Sequence, residues 1–111
     1  MMKTTKRTRL ERAGWRVGTA AQFLGLTPEE QQFVELKLAL AGGVRQLRER
    51  RGLTQGDLAK RLGSSQSRVA KMEAADASVS LDLLMRSLLS IGATANDIAK
   101  LIKKAEAGRA A

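Results

Sequence analysis

The chain has 111 residues, 43% hydrophobic and 28% charged, enough for one domain with a modest core, and it has no apolar run near the roughly 18 residues of a membrane span. It contains no Cys, His or Tyr, which excludes disulfides, thiolate or imidazole metal sites and the commonest general bases; neither an enzyme nor a cofactor is expected. The net charge is +9, concentrated in residues 1–16 (six Lys/Arg against one Glu) and 45–73 (eight against three acids), a distribution that suits a polyanionic partner.

A single proline and few β-branched or aromatic residues point to an all-α chain. Residues 1–16 are basic and weakly periodic, with Leu10, Ala13 and Trp15 as candidate anchors. Trp15, between Arg12 and Arg16, suits a buried anchor, a docking residue for a partner or a base-stacking residue. No apolar stretch of signal-peptide length follows, so a cytoplasmic location is expected. Thr19 is placed to cap a short turn carrying Ala20, Phe23 and Leu24, ended by Gly25. Thr27-Pro28-Glu29-Glu30 then puts a hydroxyl at the N-cap, Pro at the first helical position and Glu at the third, a capping box. Phe33, Leu36, Leu40, Val44 and Leu47 recur at helical spacing until Gly52. The pair Gly42-Gly43 inside this run allows a kink, a break or a close packing point.

Thr54 caps the next helix, with Leu58, Ala59 and Leu62 inward; Gly63 makes a tight turn, and Ser64 or Ser65 starts a further helix through Val69, Met72 and Glu73. Residues 75–79 form a loop, and Ser80 caps a helix whose Leu81, Leu84, Met85, Leu88 and Leu89 make a core-facing stripe. After Gly92, Thr94 with Asp97 caps a last helix carrying Ile98, Leu101, Ile102 and Ala105, which suit either the core or a dimer seam. Residues 108–111 are expected to fray.

Within residues 53–74, Ala59 is small enough for two helices to cross, and Gly63 can take the left-handed conformation of a tight turn. The outward face of the second helix carries Gln66, Ser67, Arg68 and Lys71, with no acid before Glu73. Its N-terminus offers free N–H groups and a positive dipole end. This run resembles the DNA-binding domain of the Xre (xenobiotic response element) family, the phage lambda repressor-like helix-turn-helix regulators, over about residues 34–104.

The resemblance implies an all-α, compact five-helix DNA-binding domain at residues 28–107, with the helix-turn-helix at 54–74 and a basic N-terminal extension at 1–27. The helix from about Gln66 to Glu73 would enter the major groove of double-stranded DNA. By position, Gln66, Ser67 and Arg68 are the base-contacting residues, Gln55 and Lys71 contact phosphates, and Arg48 with Glu73 forms a structural ion pair. The family usually has Gly in the loop after Glu73, where this chain has Ala74-Ala75-Asp76. The implied function is a sequence-specific transcription regulator, a repressor acting as a homodimer because one recognition helix reads only about four base pairs. The alternative is an antitoxin that neutralises a toxin protein and regulates its own operon, with residues 1–27 as the partner-binding arm.

Overall fold

The computed structural model describes residues 24–110. The expectations for Leu10, Ala13, Trp15, the Thr19 turn and most of the 1–27 extension therefore lie outside the described residues. The chain divides between Glu35 and Leu36 into two units. Among the described residues the secondary structure is five helices and no strand: α1 (Pro28–Arg50), α2 (Gln55–Leu62), α3 (Gln66–Glu73), α4 (Leu81–Ser90) and α5 (Ala95–Ala110).

The first turn of α1 is set by its capping box. The Glu30 amide donates to Thr27 Oγ1 at 3.1 Å, and the Thr27 amide donates to Glu30 Oε1 at 2.8 Å. Thr54 with Asp57 at α2 and Thr94 with Asp97 at α5 repeat the arrangement. At α3 it is Ser65, not Ser64, whose hydroxyl accepts the third amide, from Arg68 at 3.2 Å.

The core of the second unit draws on each helix that enters it: Leu40, Ala41 and Val44 of α1, Leu58 and Ala59 of α2, Val69 and Met72 of α3, Leu84 and Leu88 of α4, and Ile98 of α5. Helix α2 packs on α3 and α4. The stripe expected on α4 is only partly inward, because Leu89 is 54% exposed. Ser87 is fully buried and its hydroxyl donates to Leu83 O at 2.7 Å. A small residue there lets α4 settle on the Leu84–Ser87–Leu88 side, which turns Leu89 outward.

Helix α1 passes through Gly42-Gly43 without a break. The pair is a close packing point, and only Gly43 makes it. A Cβ there would lie 3.0 Å from Leu101 Cδ2 and 3.2 Å from Cγ, while one on Gly42 would meet nothing within 4 Å. In α5, Ile98 thus belongs to the core and Leu101 seats on Gly43, leaving Ile102 39% exposed.

The ends of α1, α2 and α4 share one device. Each ends at a glycine with positive φ (Gly52, Gly63, Gly92), and the following amide bonds back into the last turn. Helix α3 ends the same way, with Asp76 N donating to Lys71 O at 3.0 Å and Ala75 N to Met72 O at 3.1 Å. There the left-handed position is held by Ala75, at φ 54°.

Candidate nucleic-acid interface

Helix α3 has two unlike sides. Val69 and Met72, three residues apart, are fully buried, whereas Gln66, Ser67, Arg68, Ala70 and Lys71 are exposed. With the inward side fixed by Val69 and Met72, Ser67 and Lys71 stand one turn apart on the most outward line, with Ala70 beside them and Gln66 and Arg68 on its flanks. Among the described residues, Gln66, Arg68 and Lys71 have no side-chain hydrogen bond or ion pair. The Ser67 hydroxyl lies 3.2 Å from that of Ser65.

The N-terminus of α3 differs from those of α1, α2, α4 and α5. Each of these has an acid in its first turn, and α3 has none. Its first amides face outward without an intrahelical acceptor, and no carboxylate offsets the positive dipole end. An anion approaching this end meets N–H groups with Arg68 in the same first turn, while Lys71 stands in the last turn.

The orientation of α3 is fixed at its far end. Arg48 Nε donates to Glu73 Oε2 at 2.5 Å and Nη2 to Oε1 at 3.0 Å, while Nη1 donates to Leu53 O at 2.8 Å. The two side chains are 10% and 5% exposed. The hydrogen bond to Glu73 raises the Arg48 pKa further above its usual value, against the opposing effect of burial. Removing one partner of such a pair costs about 3–5 kcal/mol, since it strands a buried charge.

Gln55 opens α2 at the neighbouring helix end and is half-buried; its Nε2 donates to Glu73 Oε1 at 3.1 Å. Arg48, Gln55 and Glu73 thus form one cluster, and Gln66, Ser67, Arg68 and Lys71 form one exposed face. Asp57, at the same end of α2, has a pKa below its usual value, chiefly because the Thr54 backbone N–H donates to it.

Two residues escaped the sequence reading. Lys37 of α1 is 8% exposed and its Nζ donates to Asp76 O at 2.7 Å, across 39 residues. That carbonyl also accepts from Val79 N at 3.0 Å, so the loop leaving α3 is pinned from both sides. No sequence signal singles out Lys37, because lysines are rarely buried. The other is Ala70, whose place beside the outward line follows from helical spacing alone once Val69 and Met72 are taken as core.

A helical pair joined by a left-handed glycine, one helix carrying an exposed basic face, is the arrangement that helix-turn-helix DNA-binding domains use. The family model described as Helix-turn-helix matches residues 44–86, from the second half of α1 into α4, and so spans Arg48, Gln55, the outward face of α3 and Glu73. The match over this stretch fits an Xre-like helix-turn-helix domain and supports, in general terms, a DNA-binding transcription regulator. No curated protein and no solved structure matches the chain. Among the described residues, no helix is long and apolar enough to cross a membrane.

Proposed function

We propose that the chain is a sequence-specific transcription regulator that lays α3 in the major groove of double-stranded DNA and represses by occupying an operator near a promoter. Gln66, Ser67 and Arg68 contact bases; a glutamine carboxamide pairs bidentately with adenine, and a guanidinium with guanine. Gln55 and Lys71 contact phosphates and set the register. The observation that carries this reading is the exposed face of α3 opposite a fully buried Val69–Met72 side. A homodimer places two such helices on half-sites about one helical turn apart.

The test is selection of bound duplexes from a random pool, followed by the same selection with Gln66→Ala. The expected result is a short motif repeated at one-turn spacing, with Gln66→Ala losing about 1–3 kcal/mol and relaxing one base position in each half. Recovery of unenriched sequences, bound only in proportion to low salt, would leave a nonspecific DNA coat and remove the operator reading. Placing the selected site over a reporter promoter then tests repression, and unchanged transcription on expression of the chain counts against it.

A further inference from the structure

The Glu73 carboxylate accepts from three nitrogens on two residues: Arg48 Nε and Nη2, and Gln55 Nε2. A carboxylate can only accept, so only the NH₂ end of the Gln55 carboxamide can face it. An amide that would otherwise present either end to a ligand is thereby held one way, with its second N–H left over. The carboxylate itself cannot drift, because Arg48 grips both its oxygens and is tied to Leu53 O. Gln55 is also the first residue of α2, where the backbone amides have no helical acceptor.

We propose that Glu73 is a positioning residue for DNA binding and not only half of an ion pair. By fixing the Gln55 carboxamide, it aims the remaining N–H, together with the amide end of α2, at one phosphate oxygen. The backbone contact is thus tied to the last residue of the same helix that reads the bases. Register and reading are set from one carboxylate. This inference rests on the DNA-binding reading and goes further, assigning Glu73 an effect on affinity that passes through Gln55.

Binding is measured on the duplex most enriched by the wild-type chain. Glu73→Gln keeps the shape but offers an NH₂ as well as a carbonyl, so Gln55 is no longer held in one orientation. Affinity is expected to fall about three- to tenfold in the wild-type background and less than about twofold in a Gln55→Ala background, with base preference unchanged. Equal losses in both backgrounds overturn the proposal and leave Glu73 a structural residue. If circular dichroism shows Glu73→Gln unfolded at the assay temperature, the side-chain NH₂ signals of Gln55 in nitrogen-15 spectra of the wild-type chain decide. One proton moved from its free-carboxamide shift and protected from exchange, and the other shifting on adding the duplex, are expected; two protons at free-carboxamide shifts, both exchanging as in free glutamine, overturn it. A wild-type chain that enriches no duplex fails the DNA-binding reading itself, whereas an additive cycle on a bound duplex removes only the role of Glu73.

Discussion

Ala75 occupies a backbone conformation that L-residues avoid, at a position where three other helix ends of this chain use glycine. A Cβ in the left-handed region costs about 1–2 kcal/mol, and two local features offset it. Ala75 packs against the core, and Lys37 Nζ clamps the next carbonyl at 2.7 Å. Ala75→Gly is therefore expected to stabilise the fold by about 1 kcal/mol and raise Tm by a few degrees. An unchanged or lower Tm would mean that the lost methyl contacts outweigh the relief. The departure from the family pattern at Ala74-Ala75-Asp76 was legible in the sequence, but its outcome was not. Whether the loop changes shape or pays strain depends on Lys37, which no local pattern connects to Asp76.

Helix boundaries were the most legible feature, since capping is chemistry within four residues. Thr27 with Glu30 and Thr94 with Asp97 stand at the spacing a capping box needs, and both form it. Packing within helices was less legible. Periodicity gives an apolar side but not the rotation at which it docks, so Leu89 was expected inward while the small Ser87 took the buried place. Gly42 and Gly43 look alike in the sequence, and only Leu101, far along the chain, separates them. Gly42→Ala should stabilise by about 1 kcal/mol through helix propensity alone. Gly43→Ala, which drives a methyl into Leu101, should come out about 1–3 kcal/mol worse than Gly42→Ala. Chemical denaturation of both variants checks this, and equal midpoints would show that Leu101 moves aside freely. For the candidate interface, the sequence marked the exposed residues well, because Gln66, Ser67, Arg68 and Lys71 all lie off the Val69–Met72 line. The bond from Gln55 to Glu73 was beyond it, since it depends on how two helix ends meet.

At the scale of the molecule, four of the five described helices hold an acid in the first turn and one, α3, has none. Glu30, Asp57 and Asp97 all have pKa values below their usual ones, each chiefly through a hydrogen bond from the backbone N–H of its capping threonine. A carboxylate whose folded-state pKa is lowered adds stability that is complete above its unfolded value and is lost as pH falls through the folded value. Tm should therefore hold level down to the ordinary carboxylate range, about pH 4, and fall below it. An Asp57→Ala/Asp97→Ala chain should start lower at neutral pH and decline less steeply in acid. Parallel curves for the two chains would show that the capping carboxylates do not set the acid limb. The division of α3 into an inner line of Val69, Met72 and Glu73 and an outer face whose side chains have no bond beyond the one between Ser67 and the neighbouring Ser65 has a consequence for descent. The fold has no stake in what the outer positions are. Substitutions at 66, 67, 68, 70 and 71 can drift with little penalty in stability, so on the proposed reading one inherited scaffold can change its target site while its inner residues stay as they are.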